Sequence, residues 1–299
     1  MACVAVAIVL LASQLRGGAP PEPQVIRVGD VPTALALGPG GMWVANQRAG
    51  TLTRLDPATG RPVGKPLEIG GAPARLVPAA VGLWVADASR GVIVPVLLER
   101  RRLLRRIAMG ADIADVVLVD GTVWTASTAE GAVRWLPTGS RRPRVLGVGR
   151  GPVALAAEGR WVVAADAAAG TLARIDARER QLAGPAVPTG AAPVAVALRR
   201  GVAWVANSGA GTVTRVDVAR GAVLGAPIRV GARPVAIAAD DRDVYVACAG
   251  DETVVPIDPR SGEVGEPVAI GREPAAVALT RDAVWVANSA EDTVSRIAR

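Results

Sequence analysis

One short pattern recurs along the chain at a near-constant interval and limits the fold more than anything else. It is an aromatic residue, two small or β-branched residues and a polar residue. It stands as Trp43-Val-Ala-Asn46, Trp84-Val-Ala-Asp87, Trp124-Thr-Ala-Ser127, Trp204-Val-Ala-Asn207, Tyr245-Val-Ala-Cys248 and Trp285-Val-Ala-Asn288. A further copy lies between the third and fourth of these. There Asp166 holds the polar position and Trp161 comes two residues early, which keeps the ring on the same face of a strand. Between the polar residues the spacings are 41, 40, 39, 41, 41 and 40. A period near 40 means either a ring of sheets or an array of helix pairs.

The local pattern decides for strands. Each repeat opens on an alternating run led by Pro, such as Pro193-Val-Ala-Val-Ala-Leu198. A turn leads to the aromatic run, and a Gly-containing turn leads to a third, Thr212-Val-Thr-Arg-Val-Asp217. A fourth ends in Gly, as in Pro227-Ile-Arg-Val-Gly231. The runs are short, rich in Val and bounded by Gly, Pro and Asp, so they read as strands. Helical repeats would not tolerate so much Gly and Pro. Four strands per 40 residues is a propeller blade.

The seventh repeat has three strands before the chain stops. Its missing partner is at the other end, where Gln24-Val-Ile-Arg-Val-Gly29 matches Pro227–Gly231 and Pro267–Gly271. The expected fold is all-β: a seven-bladed β-propeller with four antiparallel strands per blade, its last blade closed by residues 24–29, which removes an open sheet edge. The blades are placed at about 32–70, 73–110, 113–149, 152–190, 193–231, 234–271 and 274–299.

The WVAN…GTVTRVD…GxxP repeat resembles the YVTN-type β-propeller repeat, with Trp in place of the usual Tyr, over residues 24–299. The resemblance is specific for fold and weak for function. That family includes surface-layer proteins, extracellular sensor domains and heavy chains of redox enzymes. Relatives by fold include streptogramin lyases and the gluconolactonase group. The former work with histidine. The latter hold a metal with Glu, Asn and Asp in the channel, and those positions have no residue-by-residue match here.

Composition narrows the chemistry. Among 299 residues there is no histidine, and one lysine, Lys65, stands beside 33 arginines. This excludes Ser-His-Asp and Cys-His catalysis, HExxH zinc sites and a histidine general base. Neither a P-loop nor a kinase motif surrounds Lys65. No CxxC occurs, and no disulfide between Cys3 and Cys248 is expected. No metal, cofactor or catalytic residue is expected, and the reading leans away from an enzyme. The alternatives are a lactonase-like hydrolase with a channel site, or a structural surface-layer-type protein. Abundant Arg, Ala, Gly, Pro and Val fits a bacterial, GC-rich coding bias.

Residues 1–23 form a separate segment. Met1 to Ala12 is continuously apolar, and Gly17 to Pro23 is a stiff Pro-rich tether. Twelve apolar residues are too few to span a bilayer but match the apolar core of a signal peptide or part of a membrane anchor. No basic residue precedes them, as would follow if the true start lay upstream. The expectation is an extracytoplasmic protein, secreted or tethered.

The repeated aromatics Trp43, Trp84, Trp124, Trp161, Trp204, Tyr245 and Trp285 are read as wedges between blades. The first strands put Ala at their third and fifth positions and a large residue between. Arg75 in blade two and Asp115 in blade three break this rule at the same place, which predicts an inter-blade ion pair near the channel. Arg54, Arg134, Arg174, Arg215 and Arg296 on third strands read as neighbours of turn-capping Asp56, Asp176 and Asp217. At the channel mouth, where repeats differ, lie Asp30, Asp112, Arg150, Arg233, Arg272 and Glu273. These are a candidate surface for a protein, peptide or glycan. Arg100, Arg101, Arg102, Arg105 and Arg106, with Arg141, Arg142 and Arg144, make a basic flank on the outer strands of blades two and three. It suits an anionic surface, either lipid or wall polymer. Nucleic acid is not expected, because the aromatics that would stack on bases are wedge residues. A closed ring with charged outer strands is expected to be a monomer.

Overall fold

The computed structural model describes residues 22–80, 82–137 and 140–299. The apolar leader and Cys3 lie outside the described residues. Among the described residues there is no helix. Thirty-one strands form seven sheets, each an antiparallel succession from an innermost to an outermost strand. The innermost strands are Pro32–Gly38, Pro73–Ala79, Asp115–Val119, Pro152–Glu158, Pro193–Arg199, Pro234–Ala239 and Pro274–Leu279. Strand Gln24–Arg27 pairs with Thr293–Ala298 in register Gln24↔Arg296 to Arg27↔Thr293, so the N-terminal strand is the outer strand of the last blade.

Six innermost strands begin with Pro followed by a register slip. Pro cannot donate to the ladder, and the bulge absorbs it. Blade three has Ile113 at that position instead, and its ladder shows no slip.

The outer strand is longer than the run ending in Gly, and it is broken. In blade five it consists of Ala222–Val223 and Ile228–Arg229, both paired with Thr212–Asp217. Blades two and four share this arrangement, and blades one and six reduce the first piece to a single bridge. Gly64, Gly184 and Gly225 in these breaks have positive φ, which a side chain rarely adopts. Blade two instead fills its break with Leu104-Arg105-Arg106.

The core is a ring of wedges. Each of seven apolar clusters joins one blade to the next, from the pair of blades one and two around to blades seven and one. Trp43, Trp124, Trp204 and Trp285 are buried in four of these wedges. Trp84 and Tyr245 are half-buried in two others. Burying such a ring stabilises the wedge by about 2–3 kcal/mol. Trp161 differs in place: it pairs with Glu158 and Asp176 at the end of its strand, half-buried, and Val163 sits opposite Ala156 and Arg174 where other blades have the ring.

Candidate functional site

The strand order fixes the two ends of the disc. Outer-to-inner connections and the turns after second strands share one face, the channel mouth; the other turns share the opposite face. The polar residue closing each second strand lies just below the mouth and is almost fully buried. In blades one, five and seven it is Asn. Asn46 Nδ2 donates to Thr51 and Thr53, Asn207 to Thr212 and Thr214, and Asn288 to Thr293 and Ser295. A Cβ on Gly190 would stand 2.7 Å from Asn207 Cγ, so the entering loop needs glycine there. Asp166 replaces Asn in blade four. Burial opposes its ionisation, but backbone N–H groups led by that of Arg150 (2.5 Å) outweigh this and lower its pKa. Cys248 is buried, and desolvation pushes its thiol up to about 12, which leaves it inert.

The arginines on third strands also serve the ring. Arg54, Arg215 and Arg296 sit over Trp43, Trp204 and Trp285, with guanidinium-to-centroid distances of 5.9, 5.8 and 5.6 Å. Arg296 Nε reaches Pro57 O, and Arg174 Nη1 reaches Val218 O (2.9 Å), each in a turn of the following blade. A planar fork that stacks and donates at once explains why these positions are arginine rather than lysine. Asp56 and Asp176 cap their turns through two backbone N–H groups each, and Asp217 through one. Arg134 does not belong to this series. It pairs in register with Thr125 and binds Glu130, while Trp135 stands opposite Trp124, the rings stacked at 5.2 Å. Spacing carries the signal: Trp43, Trp204 and Trp285 each precede their arginine by eleven residues, and eleven from Trp124 is Trp135.

The mouth residues are not one cluster. Arg233 pairs with Glu273 across blades six and seven at 2.9 Å, and Arg272 with Glu291 at 3.0 Å. Asp112 accepts from the Ser127 hydroxyl and from Thr128 N (2.8 Å), supplying the anchor that the shorter Ser cannot. Arg150 holds Asp166 through its backbone, and Asp30 is exposed. Most of the rim charge is therefore already matched within the protein.

The channel itself keeps one charged group of each sign. A cavity of about 200 Å³ opens at the mouth between the innermost strands. Its wall is Ala, Val, Leu and Ile with Thr33, apart from Arg75 and Asp115. These two occupy the register position of Ala34, opposite Ala86 and Ala126. Arg75 Nε lies 3.4 Å from Asp115 Oδ1. Asp115 also accepts from Val116 N (2.9 Å) and from Leu155 N of blade four (2.7 Å), so one carboxylate ties three blades. Burial raises its pKa, and Arg75 and the two N–H groups oppose that rise. Arg75 is the more exposed partner, its side chain 41 % accessible against 20 % for Asp115. Its Nη1 donates to Ala74 O, and Nη2 has no hydrogen-bond partner among the described residues. Among the described residues no group of three or more Cys, Asp and Glu is placed to hold a metal ion.

No protein-family model and no curated protein matches the chain. Solved structures do. The fold is similar to Kuenenia stuttgartiensis hydrazine synthase, with TM-score 0.80 and 16 % identity over 90 % of this chain and 96 % of that one. It is similar to a streptogramin B lyase at TM-score 0.78 and 14 % identity, covering 93 % and 97 %. Virginiamycin B lyase from Staphylococcus aureus gives 0.78 and 13 %, covering 93 % and 99 %. The chain is a seven-bladed β-propeller. At these identities the likeness extends to the fold alone, and one fold hosts many chemistries.

Proposed function

We propose that this propeller is a non-enzymatic recognition domain of the YVTN-repeat kind, exported or membrane-tethered, that takes its ligand at the channel mouth. The observation that carries this is the Arg75–Asp115 pair. Among the described residues lining the mouth cavity these are the two that carry charge, and the cavity is large enough for a side chain or a chain end. Asp115 is fixed by two backbone donors, so Arg75 is the group with hydrogen-bonding capacity to spare. A peptide segment or glycan presenting a carboxylate or carbonyl to Arg75 fits this arrangement. The absence of histidine from the whole sequence favours binding over acid–base chemistry.

The test is selection of ligands from a displayed peptide library and a glycan array, repeated with the double variant Arg75→Ala/Asp115→Ala. The double change avoids stranding a buried carboxylate. Selected ligands are expected to bind the double variant at least about tenfold more weakly, the scale of one charged contact. Equal binding to both proteins would move the site elsewhere. Turnover of lactones or phosphoesters that dies with Asp115→Ala would make the protein an enzyme.

A further inference from the structure

We propose that the outer edge of blades two and three, on the half away from the channel mouth, is a docking surface for an anionic phospholipid bilayer. The inference is independent of what the channel binds.

The first observation is charge. Arg100, Arg101, Arg102, Arg105, Arg106, Arg141, Arg142 and Arg144 are all exposed, and none forms an ion pair with a described residue. The one carboxylate on these two outer segments is Glu99. Setting these eight arginines and Glu99 aside from 34 basic and 27 acidic residues leaves 26 of each. The whole net charge of +7 therefore resides on this edge, and the rest of the ring balances. A patch meant only to keep sheet edges apart would not need the excess gathered on two blades of seven.

The second observation is shape and polarity. Arg105, Arg106 and Arg141 border a groove of about 540 Å³ with Pro95, Leu104 and Ile107 among its lining residues. Val145 on the neighbouring outer strand is 51 % exposed. Arginine interleaved with aliphatic side chains matches the interfacial layer of a bilayer, where stems and apolar tips enter and guanidinium groups stay with phosphates. No aromatic residue lies on either outer segment, so base stacking has no platform.

The third observation is where the chain enters. Arg100 to Arg102 and Arg141 to Arg144 belong to turns and strand ends on the face opposite the mouth. The N-terminal strand starts on that same face: Gln24 pairs with Arg296, and its Nε2 donates to Thr59 O in a turn of that face. The described chain thus enters the ring on the arginine-bearing face, and docking there leaves the channel mouth facing away from the lipid.

The experiment measures partition coefficients of the full chain on vesicles of phosphatidylcholine alone and of phosphatidylcholine with about one-third phosphatidylglycerol. The ratio of the two coefficients cancels any contribution of the apolar leader. Arg100→Gln/Arg105→Gln/Arg141→Gln/Arg142→Gln should cut that ratio by about a hundredfold or more, from roughly fivefold per surface arginine. The charge-matched control Arg178→Gln/Arg180→Gln/Arg220→Gln/Arg260→Gln, on blades four to six, should change it by less than about fivefold. Val145→Ser should weaken binding to the anionic vesicles while leaving binding to soluble polyphosphate unchanged. A ratio near one for the unaltered chain, or equal losses in both quadruple variants, overturns the proposal. Tight polyphosphate binding with no vesicle preference assigns the edge to a soluble polyanion and overturns it as well. Melting curves of each variant check that the ring is intact.

Discussion

Blades five and seven, set beside blades two and three, are built on the same register with different chemistry. In the first pair every repeat position serves the ring. Trp204 and Trp285 stack under Arg215 and Arg296, Asn207 and Asn288 each grip two hydroxyls, and the innermost strands carry Ala. In the second pair the same positions depart one after another. Trp84 faces Pro95 and Trp124 faces Trp135, Asp87 and Ser127 replace Asn, and Arg75 and Asp115 replace Ala. The outer strands there hold the unpaired arginines. Both features that distinguish one side of the disc from the other therefore lie on adjacent blades. The lesson is that a blade can give up its repeat chemistry while its wedge stays filled, as the Trp124–Trp135 stack shows.

The contrast can be broken by measurement. The largest effect expected is for Trp285→Ala, which empties a fully buried wedge and should cost about 3–5 kcal/mol in denaturant unfolding. Half-buried Trp84→Ala should cost about half as much, and equal losses would erase the distinction between the two kinds of blade. Next comes Asn207→Ala, which removes the donor to buried Thr214 and half-buried Thr212 for about 1–3 kcal/mol, against about 1 kcal/mol for Ser127→Ala. Arg215→Lys removes the stacked fork and should lose about 1 kcal/mol, whereas Arg233→Lys, at a pair exposed on both sides, should be silent in the same melts.

The smallest effect is a pH dependence. The folded pKa of Asp115 lies above its ordinary 3.8, so its favourable contribution is complete below 3.8 and is lost as pH rises through the folded value. Relative to Asp115→Asn, the native protein should therefore lose melting temperature from pH 4 toward neutrality. The lowered carboxylates Asp166, Asp176 and Asp217 act in the opposite sense: their contribution is present above 3.8 and lost as pH falls through their folded values. A flat difference between the two proteins would mean that Asp115 is not the buried charge described.

Much of this was legible in residues alone, for a physical reason. Strand alternation and turn residues repeat, so the aromatic positions, the closing strand and the joint departure of Arg75 and Asp115 can be read by alignment of the chain with itself. What stayed hidden depends on reach between blades. Arg174 meets Val218 across a wedge, and nothing in the spacing of one repeat shows that. Arg134 looks like its counterparts until strand register, which a single residue displaces, puts Trp135 in their place. The rim charges looked available in a linear reading, but curvature brings Arg233 to Glu273. The broken outer strands follow from Gly and Pro whose effect on pairing depends on which edge they occupy.

The closing strand has a consequence in time. Residues 24–27 are made long before their partners, Thr293 to Arg296. Until then the first strand has no neighbour to complete, and Ile26 has no wedge to enter. Six blades can zip locally as the chain lengthens, while the final joint awaits the longest-range pairing in the molecule. The ring therefore has a built-in completion signal: loss of the strand Thr293–Ala298 would leave an otherwise formed array open at one seam, with the edges of blades one and seven exposed together.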